Sequence, residues 1–139
     1  MKPLIFKSLF VALMALTSIS VFSQNNSKTA TAHATGKDIS VQEADKLIKA
    51  GGTIVLDVRT KGEYNNGHIK NSININWYDP KFAELTKTLD KSKPVVVYCA
   101  AGSRSAEAKE ALLAAGFKSV LNMKDGFEGW EEQKMPVEK

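Results

Sequence analysis

In Val95-Val-Val-Tyr-Cys99-Ala-Ala-Gly-Ser-Arg104-Ser105 an apolar β-branched run ends and a helix-forming run begins. A buried strand that turns through small residues into a helix is the unit of a parallel α/β sheet, and ligands of such sheets bind at the carboxyl ends of the strands. Cys99 occupies such an end and is the only cysteine of the 139 residues. A thiol in that position faces the backbone N–H groups of a tight loop and the positive end of a helix dipole, both of which favour thiolate. Such surroundings bring a cysteine pKa from about 8.5 into the range of roughly 3.5 to 7.5. A buried structural cysteine is the alternative for any lone thiol. The Gly102-Ser103 turn, the immediate Arg104 and the polar start of the next helix favour a site made for an anion.

Outward from this junction the chain alternates strand and helix patterns. Ser40-Val-Gln-Glu43 has the spacing of a capping box, and Ala44, Leu47 and Ile48 give the following helix an apolar face before Gly51-Gly52 stops it. Thr53 to Val58 reads as a buried strand and Ser72 to Ile75 as a second. Asp79-Pro80 predicts an N-cap and first helical residue for a helix running through Phe82, Leu85 and Leu89. After the cysteine loop, Ser105 to Ala115 predicts a helix ended by Gly116, Ser119 to Asn122 a strand, and Asp125 to Gln133 a last short helix around Trp130. The pattern predicts an α/β domain with a mostly parallel sheet and helices on both faces.

The N-terminus reads differently. Lys2 and Lys7 precede an uncharged apolar run from Leu9 to Val21, and Val21-Phe22-Ser23 offers a cleavage site before Gln24. These are the three parts of a secretory signal peptide over residues 1–23. The run falls short of the roughly 20 apolar residues of a membrane span, so no membrane attachment is expected after cleavage. Residues 24–37, rich in Asn, Ser, Thr and Ala, read as a flexible linker, and 38–139 as a single domain. Without Lys2 and Lys7 the chain has 17 basic and 15 acidic residues. That near balance, with only two arginines and no aromatic-interleaved basic patch, argues against nucleic acid as a partner. No phosphate-binding glycine loop or zinc-spaced Cys/His set is present, and no metal or cofactor is implied.

Three ordered stretches carry a family likeness: Leu56-Asp-Val-Arg-Thr-Lys-Gly-Glu-Tyr-Asn-Asn-Gly-His-Ile69, the cysteine loop, and Asp125-Gly-Phe-Glu-Gly-Trp130. Together they resemble the rhodanese-like family of sulfurtransferases over about Ile39 to Trp130, with exported single-domain thiosulfate sulfurtransferases as the subgroup most similar. Asp125 and Asn71 depart from the family pattern, each standing where a glycine is frequent. The resemblance implies a three-layer α/β/α domain with about five strands. It also implies a Cys99 persulfide, formed from thiosulfate and discharged to cyanide, a thiol or a protein, in a bacterial periplasm. Four residues separate Cys99 from Arg104, which matches the family's six-residue loop, whereas the related dual-specificity phosphatases resemble Cys-x5-Arg. A carrier module with little turnover on thiosulfate is the competing reading.

Site roles follow in the same conditional form. The amides of Ala100, Ala101, Gly102, Ser103, Arg104 and Ser105 are expected to cradle the persulfide, with Ser103 and Ser105 as possible hydroxyl donors. Arg104 has two open readings, holding thiosulfate oxygens or bracing the loop. Asp57 and Arg59 are expected to pair with each other or with the cysteine loop as scaffold, Glu63 and Tyr64 to lie on a short helix beside the site, and His68 to stabilise a turn. Trp77, Phe82, Phe127 and Trp130 read as core or rim residues.

Overall fold

The computed structural model describes residues 34–139, so the signal-peptide reading of residues 1–23 lies outside the described residues. Five parallel strands form one sheet: β1 (Thr35–Ile39), β2 (Ile54–Asp57), β3 (Ile73–Asn74), β4 (Val95–Tyr98) and β5 (Ser119–Met123), in the order β1-β5-β4-β2-β3. The helices are α1 (Val41–Ala50), α2 (Lys61–Asn66), α3 (Phe82–Leu85), α4 (Ser103–Ala114) and α5 (Gly126–Glu132).

Alternation along each strand divides the core in two, as a sheet buried on both faces requires. Val96 and Tyr98 of β4 pack with Val41 and Ala44 of α1 and Phe127 and Trp130 of α5. Val95, Val97 and Cys99 face the other way, with Ala108 and Leu112 of α4 and Phe82 of α3. This is the expected three-layer α/β/α arrangement, and it directs Cys99 toward the layer that contains α4.

The capping box at Ser40 forms as its spacing predicts: Glu43 N–H donates to Ser40 Oγ, and Glu43 Oε2 accepts from Ser40 N–H at 2.9 Å. Three elements differ from the sequence reading. Thr35 to Lys37, expected as the end of the linker, instead begin β1 and pair with Ser119 to Leu121. The segment is polar and exposed up to Asp38 because it is a sheet edge, with only Ile39 entering the core. The helix expected from Asp79 to Leu89 is one turn of α3 followed by a 3₁₀ turn at Thr86–Thr88, and its N-cap is Lys81 without a side-chain bond. Asp79 Oδ1 accepts from Lys81 N–H at 2.8 Å and closes a turn instead. Thr86 donates its hydroxyl back to Phe82 O or Ala83 O, and Thr88 to Leu85 O, which competes with regular helix continuation. The strand expected over Ser72–Ile75 shortens to the pair Ile73–Asn74.

Candidate active site

Cys99 lies immediately beyond β4, in the centre of the sheet, and is 1% exposed. The loop reverses at Gly102, whose φ of 99° is left-handed and which serves as the N-cap of α4. A methyl group there would overlap the Lys124 carbonyl, so both conformation and space call for glycine. The turn brings Gly102 N–H to 3.1 Å from Cys99 Sγ. The Ser105 hydroxyl sits 3.4 Å from Sγ and 3.1 Å from Gly102 O, two alternative acceptors for its single proton. Burial pushes the thiol up. The Ser105 hydroxyl and the amides of Ser105, Gly102 and Ala101 outweigh it, so the thiol titrates below its ordinary 9.0.

The first turn of α5 explains how these amides come to point inward. Phe127 N–H donates to Cys99 O at 2.7 Å and Glu128 N–H to Ala100 O at 3.0 Å, so the loop's carbonyls are held outward against α5. Gly126, at φ 61°, permits this approach, since a side chain there would run into the Ala100 carbonyl. Sequence reading placed Phe127 in the core or at the rim and did not assign Gly126 or Glu128 to the site. The Asp125-Gly126 dipeptide was the available signal, as a left-handed turn directly before a helix.

Arg104 takes the bracing geometry. Its Nη1 donates to Glu63 Oε2 at 2.9 Å and its Nη2 to Glu63 Oε1 at 2.8 Å. Glu63 also closes the capping box of α2, accepting from Thr60 N–H at 2.9 Å and Thr60 Oγ at 2.8 Å. One carboxylate thus ties the start of α2 to the start of α4. Hydrogen bonds from Arg104 first, then those from Thr60, hold the Glu63 carboxyl at about 2 against partial burial. Because this folded value lies below the ordinary 4.5, the contribution to stability is complete above pH 4.5 and is lost as pH falls toward 2. Urea unfolding through that window should show the wild-type protein losing stability relative to Glu63→Gln. Parallel curves would contradict the assignment.

Asp57 and Arg59, 0% and 4% exposed, pair with each other and not with the cysteine loop. Arg59 Nη2 reaches Asp57 Oδ2 at 2.7 Å and the Gly67 carbonyl at 2.7 Å, and Arg59 Nε lies 3.0 Å from Asp57 Oδ1. The guanidinium rests over the Phe127 ring, 4.0 Å from its centroid. The pair joins the end of β2 to the turn after α2. His68 lies in that turn, stacked on Tyr64 at 3.8 Å with Nδ1 3.1 Å from the Tyr64 carbonyl, and its backbone pairs with Glu138. Asn71 adopts φ 60°, which explains how an asparagine stands where glycine is frequent. Ser103 is exposed and its hydroxyl makes no hydrogen bond among the described residues, so of the two serines only Ser105 reaches the sulfur.

A cleft of about 250 Å³ opens beside the loop, lined by Arg59, Glu63, Asn66, Ala100, Phe127, Glu128 and Glu131. Its position at the carboxyl ends of β2 and β4 is where a sheet of this kind binds ligands.

Residues 40–133 match the rhodanese-like domain. The thiosulfate sulfurtransferase GlpE of Coxiella burnetii is 37% identical over 95 residues, covering 68% of this chain and 87% of that protein. The uncharacterized protein YibN of Escherichia coli K12 is 32% identical over 131 residues, covering 92% of this chain and 85% of its own. Among solved structures, a rhodanese-related protein from Thermoplasma volcanium is 35% identical, with a TM-score of 0.64, covering 73% of this chain and 97% of that one.

Proposed function

The chain belongs to the rhodanese-like domain family, and from that premise we propose that it transfers sulfane sulfur from thiosulfate or a related donor to a thiophilic acceptor through a persulfide on Cys99. The observation that carries the proposal is the sulfur of Cys99 held at a strand end by the Gly102 amide and the Ser105 hydroxyl, with its pKa lowered. In the first step the thiolate attacks the outer sulfur of thiosulfate. The S–S bond of thiosulfate breaks, and sulfite leaves with the bonding pair. The negative charge passes to the terminal sulfur of the new persulfide, inside the loop whose amides already face an anion. In the second step the acceptor attacks that terminal sulfur and Cys99 departs as thiolate. No general base is required, in keeping with His68 being occupied in its turn. Cyanide serves as a laboratory acceptor, and a thiol or a protein as the acceptor in the cell. The reading includes export to a periplasm, which rests on the sequence of residues 1–23.

The test is steady-state turnover. Thiosulfate and cyanide should give thiocyanate and sulfite with ping-pong kinetics, the pattern of a covalent intermediate. A sequential pattern, or turnover of phosphate esters in its place, would contradict the proposal. A second reading, delivery of persulfide sulfur to a partner protein, is favoured by Tyr78, which is 67% exposed and lies 5.8 Å from the Arg104 guanidinium. Loading by thiosulfate with negligible discharge to cyanide and rapid discharge to a protein thiol would select that reading.

A further inference from the structure

We propose that the C-terminal strap, Lys134 to Glu138, is a positioning element for Cys99: it clasps α5 to the turn after α2 and so keeps the peptide planes of the cysteine loop turned with their amides toward the sulfur.

The strap leaves α5 through Lys134, whose φ of 56° is left-handed and costly for a residue with a Cβ. Lys134 N–H donates to Glu131 O at 2.8 Å and Met135 N–H to Trp130 O at 3.1 Å, so the chain reverses over the end of the helix. Trp130 Nε1 then donates to Pro136 O at 2.9 Å. Two residues further on, Glu138 N–H donates to His68 O at 2.9 Å and His68 N–H to Glu138 O at 2.8 Å, a two-bond antiparallel bridge. The turn that receives this bridge is itself fixed to the sheet. Gly67 O accepts from Arg59 Nη2 at 2.7 Å, and Ile69 N–H donates to the Tyr98 hydroxyl at 3.1 Å.

Burial does not account for these bonds. Pro136, Val137 and Glu138 are exposed, and of the strap only Met135 packs against the cluster around Trp130. What the strap restrains is α5, which at seven residues is too short to hold its place alone. In turn α5 holds the loop, through Phe127 N–H on Cys99 O at 2.7 Å and Glu128 N–H on Ala100 O at 3.0 Å. In a planar trans peptide the C=O and the following N–H point in opposite directions. Pinning Cys99 O against α5 therefore turns Ala100 N–H toward the inside of the loop. Pinning Ala100 O does the same for Ala101 N–H, one of the amides that lower the Cys99 thiol. Trp130, Pro136 and Glu138 thus act on the sulfur through two peptide planes.

The experiment titrates the ultraviolet thiolate absorbance of the only cysteine in the full chain, with Cys99→Ser as the blank. It uses no sulfur donor, so its outcome is independent of whether thiosulfate loads Cys99. Glu138→Pro removes the N–H that bonds His68 O, whereas Glu138→Ala retains it and loses only the 3.9 Å ion pair with Lys70. Trp130→Phe keeps an aromatic ring in the core and removes the donor to Pro136 O. Glu138→Pro should raise the thiol midpoint by at least about 0.3 pH unit, a twofold loss of thiolate below the midpoint, and W130F/E138P should raise it further. Glu138→Ala should keep the wild-type midpoint. Deuterium exchange at the amides of Phe127 and Glu128 should quicken in Glu138→Pro while that of Val97 stays as in the wild type. A strap that only stabilises the fold would lower the unfolding temperature and leave the thiol midpoint of the folded protein in place. An unchanged thiol midpoint in folded Glu138→Pro overturns the proposal, as does a rise in Glu138→Ala equal to that in Glu138→Pro. If W130F/E138P does not fold, Glu138→Pro, at an exposed position beside the chain end, decides alone.

Discussion

Cys99→Ser takes thiosulfate-to-cyanide transfer to background, a loss of at least about 10³-fold, on the scale seen when an enzyme loses its nucleophile. The hydroxyl would occupy the same corner of the loop and receive the same Gly102 N–H. Its pKa is far too high for the loop to hold it as an anion, and oxygen forms no persulfide. The substitution nearly conserves volume among Val97, Ala108 and Leu112, so the domain should remain folded, which thermal unfolding would verify. Retained turnover in folded Cys99→Ser would refute the nucleophile assignment.

Asp57→Ala should cost about 3–5 kcal/mol of stability, the scale for stranding one partner of a buried ion pair. Arg59 would remain 4% exposed with two of its nitrogens deprived of the carboxylate. The Gly67 carbonyl alone would then satisfy Arg59 Nη2, and the turn after α2 would loosen from the sheet. Through α2 that loosening reaches Glu63 and so the brace on Arg104. Urea unfolding measures the loss, and a companion Asp57→Ala/Arg59→Met variant should recover part of it because no buried charge remains. A loss below about 1 kcal/mol in the single variant would show that the pair is not held as described.

The residues that were legible in the sequence are those whose chemistry is local. Val95 to Tyr98 is a strand on any reading, Gly102 is required by the turn, and the capping box at Ser40 has the spacing that caps need. Three motifs then sufficed to point to the family and its layers. What escaped was set by distance along the chain. Thr35 to Asp38 gives no alternating pattern, because an edge strand beside β5 has little to bury, and only pairing with Ser119 to Asn122 makes it a strand. Thr86 and Thr88 end regular helix through their own hydroxyls, which an apolar spacing of Phe82, Leu85 and Leu89 does not reveal. The role of Arg104 was open because its partner, Glu63, is 41 residues away, and the bidentate contact is visible only once α2 and α4 lie side by side. The grip of α5 on the cysteine loop depends on backbone groups at Phe127 and Glu128, which any side chains could supply.

The most direct test of sulfur transfer through Cys99 is the intact mass of the purified protein after incubation with thiosulfate. A gain of about 32 Da, one sulfur, that is absent from Cys99→Ser and removed by cyanide is the expected result. An unchanged mass, with Cys99 still open to alkylation, would contradict the account, because the nucleophile would then be available and thiosulfate would not be its donor.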